Sequence, residues 1–322
     1  MWPAPAREPG QRTGRCACRG KGRAMSPRVK LWFGAARPFS FTAAIVPVVV
    51  GTLVAAPKAF NPFYFLLALL GSVLIQAGTN LVNDYYDHVK GVDGPDSLGP
   101  SNAIRRGLIK PREVLRLGIA CFAAGALCGL ALVALVGLPL LWLGLASVAA
   151  GFFYTGAPIS LAYIALGELT VFVFMGPVMV MGAYYVQTAH WSWDPFIVSL
   201  PIAFLVTAIL HANNLRDIED DRRHGKRTLA TIIGRRPANW EYYLLIGAAY
   251  ASLIVMVVAR VAPWPVLLTL LTLPAALRAV RFTARTREPR KLNYVLFRTA
   301  QLHMRFGALL AAGLVAGLVV PH

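Results

Sequence analysis

Charged residues are scarce in this chain of 322 residues: they make up 14 % of it, and only 14 residues are acidic. A soluble domain of average composition carries about 25 % charged residues, so this sequence has too few of them to cover a water-facing surface. The 57 % share of hydrophobic residues excludes a largely disordered chain. Four cysteines in this length are too few for a disulfide-bonded scaffold.

The charge that is present is strongly basic, with 32 lysines and arginines and a formal net charge of +18. Such an excess can indicate a nucleic-acid-binding protein, but that class does not need so hydrophobic a sequence. Hydrophobic and basic composition together predict an integral membrane protein. We therefore expect membrane lipid, and no nucleic acid, among its partners.

Long apolar stretches predict about nine transmembrane helices. A helix needs about 20 mostly apolar residues to cross a bilayer, and a helix is required because lipid offers the backbone no hydrogen-bond partners. The predicted spans are 39–56, 62–82, 114–136, 138–153, 166–186, 195–211, 242–258, 263–280 and 306–320. The expected fold class is an all-α polytopic membrane protein whose helices surround a central cavity.

The basic residues predict the orientation of these spans. If the N-terminus is cytoplasmic, 30 of the 32 lysines and arginines lie before the first span or near the loops after spans two, four, six and eight. The two exceptions are Lys58 and Arg260. Cytoplasmic loops of membrane proteins carry such an excess of basic residues. We therefore expect a multi-pass protein of the cell membrane with a cytoplasmic N-terminus.

Residues 1–37 differ in composition from the rest of the chain. They are rich in Arg, Gly and Pro and show no hydrophobic periodicity, which predicts a disordered basic tail before a membrane domain at 38–322. Contact of this tail with anionic lipid is the functional alternative. Met25 precedes a basic amphipathic segment, so a translation start at Met25 is a second possible N-terminus.

The acidic residues are concentrated in two short segments, which contain 8 of the 14. Each segment follows an even-numbered span, so both are expected at the cytoplasmic face. Asn83 and Asp87 in the first segment are four residues apart, and Asp217 and Asp221 in the second have the same spacing. If the spans stay helical, each pair lies on one face of its helix.

Carboxylates one helical turn apart at a membrane boundary repel each other unless a cation compensates them. Carboxylate and amide oxygens suit Mg²⁺, which also binds substrate phosphate oxygens. The predicted metal ligands are Asn83, Asp87, Asp217 and Asp221. The basic residues predicted to bind the remaining phosphate charge are Lys90, Arg105, Arg106, Arg216 and Lys226. Ordinary solvated loop charges are the alternative, but they do not account for the repeated spacing.

Both segments resemble the two motifs of the UbiA superfamily of intramembrane aromatic prenyltransferases. The first reads Asn-Asp-x-x-Asp-x-x-x-Gly-x-Asp over 83–93, and the second reads Asn-Asn-x-Arg-Asp-x-x-x-Asp-x-x-x-Gly-Lys-x-Thr-Leu over 213–229. Their form is most similar to the menaquinone branch, the 1,4-dihydroxy-2-naphthoate polyprenyltransferases (MenA). The resemblance extends to 154–156, 167–169 and 184–187.

This resemblance implies Mg²⁺-dependent transfer of a polyprenyl group from an allylic diphosphate to an aromatic acceptor at a site with a cytoplasmic mouth. In the menaquinone branch the acceptor is 1,4-dihydroxy-2-naphthoate, which loses its carboxyl group. The catalytic residues implied are Asp84, Asp87, Asp217 and Asp221. The substrate-binding residues implied are Asn83, Asn214, Arg216, Lys226, Lys90 and Tyr154.

The sequence departs from the family pattern at two places. Gly91 stands where the wider superfamily has a third acid, and the acid is at Asp93 instead, as in the menaquinone branch. The segment after Tyr154 lacks the Gly-Gly-Pro that is more usual in that branch, and this departure leaves the acceptor open. The alternative acceptors are 4-hydroxybenzoate, homogentisate and a lipid alcohol. A cation-coupled transporter and a lipid phosphotransferase are the alternatives from other classes. His211, one turn before Asn214, either orients that side chain or has a purely structural role.

Overall fold

The computed structural model describes residues 26–91, 104 and 107–319. These residues form helices, and the described part of the chain contains no β-strand beyond a single isolated bridge between Ile164 and Arg227. The α-helices are α1 (Pro27–Ala35), α2 (Thr42–Ala55), α3 (Pro62–Val89), α4 (Pro111–Val136), α5 (Pro139–Phe153), α6 (Gly167–Val173), α7 (Met179–Thr188), α8 (Asp194–Arg223), α9 (Leu229–Ile233), α10 (Arg235–Val258), α11 (Leu273–Arg285) and α12 (Pro289–Gly317). The predicted all-α class is confirmed.

Seven helical stretches among the described residues are long and apolar enough to cross a membrane. They are Pro38–Ala55, Pro62–Val89, Pro111–Val136, Gly167–Thr188, Asp194–Arg223, Arg235–Val258 and Trp264–Arg285. The predicted fourth span corresponds to α5, which is apolar but only 15 residues long, and the predicted ninth, 306–320, overlaps the last part of α12, which ends at Gly317. The chain is a multi-pass membrane protein, while the count of nine spans and their orientation stay predictions.

Helix α8 lies at the centre of the fold. It contacts α2, α6, α7, α10 and α12, and 72 % of its most apolar window is buried. Ile202, Ala203 and Ala208, which point in different directions around the helix, are all fully buried. A helix that is apolar all round is typical of a buried position. The second acidic segment therefore lies at the end of a closely packed helix.

Helix α3 extends through residues 83–87 of the first acidic segment, and helix α8 extends through residues 217–221 of the second. Helix α3 extends from Pro62 past the predicted span to Val89, and its start is capped by the Asn61 side chain. Helix α8 extends 12 residues beyond the predicted 195–211 span and ends at Arg223. The expected helical spacing of Asn83 with Asp87 and of Asp217 with Asp221 is thus confirmed.

The predicted span 166–186 is not a single regular helix. A π-helical turn at Phe174–Val178 contains Pro177 and joins α6 to α7. Proline lacks an N–H donor, and irregular turns of this kind often mark functional sites. Gly176 in this turn packs directly on Ala203 of α8. The turn therefore allows the α6–α7 pair to approach the central helix.

The last third of the predicted tail 1–37 contains a short helix, while the disordered tail as a whole stays a prediction. Residues 27–35 form α1, in which Leu31, Trp32 and Ala35 pack against Leu81 of α3 and Val114 of α4. These apolar side chains account for the position of α1, because they are buried against the ends of two long helices. Residues 1–25, and with them the alternative start at Met25, lie outside the described residues.

Gly51 is a close contact between α2 and α7, and its replacement tests that packing. A Cβ atom at this position would lie 2.9 Å from the Ala183 Cβ and 3.0 Å from the Val180 carbonyl carbon. We expect Gly51→Ala to destabilise the protein by about 1–3 kcal/mol, measured as a lower melting temperature in detergent. Gly247→Ala on α10 is the control, because no atom of the described residues lies within 4 Å of its added Cβ. Equal melting temperatures of Gly51→Ala and the wild type would contradict the α2–α7 contact.

Candidate functional site

A cavity of about 350 Å³ lies among α2 to α8, with one further contribution from α12. On α3 its lining extends from Leu67 to Asp87, which corresponds to about 30 Å of helix. This length is close to the thickness of the hydrocarbon core of a bilayer. The end near Leu67 is apolar, and the end near Asp87 is polar.

The polar end of the cavity unites the two acidic segments. Its polar lining residues are Arg37, Asn83, Asp87, Asn213, Asn214, Arg216, Asp217, Asp220, Asp221 and Lys226. All four residues predicted as metal ligands are in this set. Tyr154, which directly follows α5, also lines the cavity.

Asp87 is buried and held by a residue that the sequence did not identify. Its Oδ1 accepts a hydrogen bond of 2.6 Å from the Tyr163 hydroxyl. Tyr163 belongs to the connection between α5 and α6, 76 residues further along the chain. This contact fixes the orientation of the first-segment carboxylate.

Lys90 holds the α5–α6 connection. Its Nζ donates to the Thr155 carbonyl at 3.0 Å and to the Ser160 hydroxyl at 2.6 Å, and it lies 3.9 Å from the centre of the Tyr163 ring. Burial lowers the pKa of Lys90, against the opposing effect of Asp87. Lys90 is absent from the described lining of the cavity. The structure therefore places Lys90 against the α5–α6 connection, and its contact with substrate stays a prediction.

Two connections meet beside the site. The Ala165 amide donates to the Arg227 carbonyl at 2.7 Å, and the Arg227 amide donates to the Tyr163 carbonyl at 3.3 Å. These bonds join the α5–α6 connection to the one between α8 and α9. Tyr163 and Lys226 are thereby placed on the same side of the cavity, 5.3 Å apart from ring centre to Nζ.

Lys226 lies close to acidic residues of both segments. Its Nζ lies 3.4 Å from the Asp221 Oδ1, and its side chain is 11 % exposed. Burial opposes the charge of this ammonium group, but the carboxylates Asp87, Asp221 and Asp217 outweigh it and raise the pKa of Lys226. Lys226 is therefore a permanent positive charge at the polar end.

Arg216 is engaged within the chain. It donates from Nε and Nη2 to the two oxygens of Asp217 at 2.6 and 2.5 Å, and further to Asn213 and to Asn293 of α12. Such a paired contact fixes a carboxylate in one plane. Arg216 thus orients Asp217. It also lines the polar end of the cavity, and its binding of phosphate stays a prediction.

Asp84 lies behind the cavity. It is buried, forms an ion pair with Arg37 and is absent from the described lining, although it was predicted to be catalytic. Arg37 itself does line the polar end. Sequence reasoning missed Arg37 because its partner is 47 residues away. The only signal was a basic residue directly before the first span.

The remaining predicted basic residues cannot be placed. Arg105 and Arg106 lie outside the described residues, as do Asp93 and Asp96 of the first acidic segment.

The polar end has the composition of a divalent-cation site. It combines three carboxylates, Asp87, Asp217 and Asp221, with the amide oxygen of Asn83. Asp221 is 2 % exposed, and its Oδ2 has no hydrogen-bond partner among the described residues. A buried carboxylate oxygen without a donor calls for a cation. Hard oxygen ligands of this kind fit Mg²⁺.

Comparisons with known proteins agree with this geometry. A sequence profile of the UbiA prenyltransferase family matches residues 44–317. A 1,4-dihydroxy-2-naphthoate octaprenyltransferase of Mycobacterium tuberculosis is 38 % identical over 286 residues, which cover 88 % of this chain and 96 % of that protein. The protein of the same name from Bacillus subtilis is 36 % identical over 281 residues, covering 87 % and 90 %.

A solved structure has the same fold. The UbiA homolog from Archaeoglobus fulgidus bound to GPP and Mg²⁺ superposes with a TM-score of 0.59 at 17 % identity, and the match covers 87 % of this chain and 99 % of that one. The transporter and lipid phosphotransferase alternatives are therefore wrong, because the matched family consists of prenyltransferases. The chain belongs to the UbiA prenyltransferase family.

Proposed function

We propose that the protein transfers a polyprenyl group from an allylic diphosphate to 1,4-dihydroxy-2-naphthoate, with loss of the carboxyl group, in menaquinone biosynthesis. The observation that carries this proposal is one cavity that follows about 30 Å of α3, with an acidic and amide-rich end near Asp87 and an apolar end near Leu67. Its shape and polarity suit an amphiphile with a charged head and an isoprenoid tail. The names of the two bacterial relatives support the naphthoate acceptor.

The charged groups at the polar end would bind the diphosphate head. Asn83, Asp87, Asp217 and Asp221 would hold Mg²⁺, which when bound neutralises the charge that develops on the leaving diphosphate. Lys226 would add a fixed positive charge, as a compact ammonium suits phosphate oxygens. Arg37, held in place by Asp84, would supply a second cationic group from the connection between α1 and α2.

The reaction breaks two bonds and forms a new C–C bond. The allylic C–O bond breaks, and its electron pair leaves with the diphosphate. A π electron pair of the acceptor ring forms the new C–C bond. The bond from the ring to the carboxylate then breaks, so that CO₂ leaves and the electron pair of that bond stays on the ring and restores its aromaticity. The apolar walls, which include Phe174 and Met175 of the π-helical turn, would exclude water from the allylic cation. Tyr154 lines the same space and would contact the acceptor ring.

We infer that the protein resides in the cell membrane with the polar end of its cavity at the cytoplasmic face. The distribution of 30 of 32 basic residues supports this orientation. Lys226 and Arg216, beside the acidic segments, are among those basic residues, so the orientation and the site position depend on each other.

A panel of acceptors tests the proposal. The purified protein in lipid nanodiscs receives a labelled polyprenyl diphosphate together with dihydroxynaphthoate, 4-hydroxybenzoate, homogentisate or a lipid alcohol. We expect transfer to dihydroxynaphthoate with one CO₂ released for each product formed. Removal of Mg²⁺ with EDTA should abolish transfer, and added Mg²⁺ should restore it.

Other results would change the assignment. Faster transfer to 4-hydroxybenzoate, homogentisate or the lipid alcohol would replace the acceptor, and the Gly156-Ala157-Pro158 departure would then be its structural cause. Transfer that persists in EDTA would contradict the proposed metal site. Absence of transfer to all four acceptors would refute the proposed function.

A further inference from the structure

Behind the cavity, three titratable side chains from three helices meet at one point. His211 of α8 is fully buried, and its Nδ1 lies 3.4 Å from the Oε1 of Glu168 on α6 and 3.5 Å from the Oε1 of Glu241 on α10. The His211 Nε2 contacts the Ala238 carbonyl at 2.7 Å. A carbonyl oxygen only accepts hydrogen bonds, so this nitrogen carries a proton. The ring is therefore held in one orientation.

Glu168 connects this cluster to the candidate site. The Asn214 Nδ2 donates to the Glu168 Oε1 at 2.7 Å, and both side chains are at least 95 % buried. Asn214 lines the polar end of the cavity, whereas Glu168, His211 and Glu241 are absent from its described lining. Asn214 is thus the point at which the cluster reaches the site.

The contact determines which atom Asn214 presents to the cavity. A side-chain amide has a donor end and an acceptor end, and an ionised carboxylate only accepts hydrogen bonds. Glu168 therefore fixes the Nδ2 end, and the Oδ1 end is left for the cavity. An amide oxygen is a ligand for a hard cation, while an amide nitrogen would repel one.

We propose that Glu168 is a positioning residue that holds the oxygen of Asn214 toward the diphosphate-binding end of the cavity. This inference rests on the proposed function, since the group that Asn214 would face is the metal-bound diphosphate. The Ala238 carbonyl accepts from the His211 Nε2, and a second proton on Nδ1 lets the imidazolium donate to Glu168 and so hold it. Three helices are thereby linked to the orientation of one amide.

A role in packing alone does not require these residue types. Two carboxylates and an imidazole buried in a membrane protein cost desolvation free energy, and well-packed apolar residues often stabilise a protein as well or better. Groups behind metal-site residues typically change metal affinity or activity about 10- to 100-fold when removed. The proposal therefore predicts an effect on binding that depends on Asn214.

Binding of magnesium pyrophosphate provides a measurement that is independent of turnover. The stabilisation of the detergent-solubilised protein against heating is recorded as a function of magnesium pyrophosphate concentration. We expect Glu168→Ala to raise the half-saturating concentration about 10- to 100-fold. Glu168→Gln should have a smaller effect, because its amide oxygen can still accept from Asn214. Glu113→Gln, which changes an exposed acid at the start of α4, is the matched control.

A double variant separates positioning from stability. If Glu168 acts through Asn214, Glu168→Ala adds no more than about a two-fold change in the Asn214→Ala background.

An exchange of donor and acceptor tests the same contact in a protein with both side chains present. Asn214→Asp alone places two carboxylates in contact and should weaken binding. Adding Glu168→Gln should restore part of it, because the new amide can donate to the new carboxylate.

The outcomes are distinct from those that test the reaction. Multiplicative effects of Glu168→Ala and Asn214→Ala, or wild-type pyrophosphate binding by Glu168→Ala, would overturn the positioning role even if the wild-type protein transfers prenyl groups normally. Failure of Glu168→Gln to restore binding to Asn214→Asp would also count against it. If the wild-type protein binds magnesium pyrophosphate as described but transfers no prenyl group, the proposed function fails and the positioning role stands.

Discussion

Asp87→Asn and Asp217→Asn are each expected to lower the rate of prenyl transfer by about 100- to 1,000-fold. Each substitution keeps the size of the side chain and one oxygen but removes a negative charge from the polar end of the cavity. Asp87 is held by Tyr163, and Asp217 is held by Arg216. We therefore expect no neighbouring side chain to move in and take over the role of either carboxylate. The measurement is the initial rate with labelled polyprenyl diphosphate and dihydroxynaphthoate.

Asp194→Asn is the matched control for this pair. Asp194 is an exposed residue in the first turn of α8, the helix that carries Asp217 near its other end. The two acids are 23 positions apart, which corresponds to about 35 Å of helix, so the control should transfer at the wild-type rate. Raising the Mg²⁺ concentration should recover part of the lost rate in the two site variants, because they weaken metal binding. Normal rates in both site variants would contradict the assigned chemistry.

The helical framework of the site could be predicted from the sequence. Asn83 and Asp87, like Asp217 and Asp221, were placed on one face of a helix by their spacing alone, and both helices do continue through these residues. A four-residue spacing is a local property of the sequence. It predicts correctly which side chains share a face where the helix is long and well packed. The meeting of the two segments at one end of a cavity followed from the predicted membrane topology.

The supporting contacts could not be predicted, because they join residues far apart in the chain. Arg37 contacts a residue 47 positions away, Tyr163 one 76 positions away, and Glu168 one 46 positions away. Each of these partners comes from a connection or a helix end whose path depends on the packing of several helices. Arg216 and Lys90 were expected to bind phosphate because their charge suited it, but charge alone does not reveal an internal partner.

The apolar end of the cavity is closed by a cluster that suggests how tail length is limited. Leu132, Leu140 and Val186 are buried together there, and all three line the cavity. Gly129 of α4 and Gly144 of α5 lie about one helical turn from Leu132 and Leu140, toward the site. An added Cβ atom at either glycine would meet no other side chain or helix within 4 Å among the described residues. New side chains at these positions would therefore extend into the cavity.

Gly129→Leu and Gly144→Leu are expected to shorten the longest prenyl chain that the protein accepts. Relative to geranyl diphosphate, the kcat/KM for octaprenyl diphosphate should fall about ten-fold or more, because forcing atoms into occupied space costs about 1–3 kcal/mol. The expected loss of kcat/KM comes from steric exclusion of the tail. A change in the polarity of its surroundings does not contribute, since lipid outside the cavity is as apolar as the cavity. Geranyl diphosphate, whose tail ends before the two glycines, should be used at the wild-type rate.

Gly247→Leu on α10 separates a cavity effect from a general effect of leucine for glycine in a helix. Gly247 is exposed, is absent from the described lining of the cavity and, like the other two, has open space around its added Cβ. Competition between geranyl and octaprenyl diphosphate in one reaction compares the two donors directly. If the octaprenyl preference changes in neither cavity variant, the tail does not reach the Leu132–Leu140 end and must leave the cavity nearer the polar site. A loss confined to the two cavity variants would show that the depth of this apolar space selects the length of the donor.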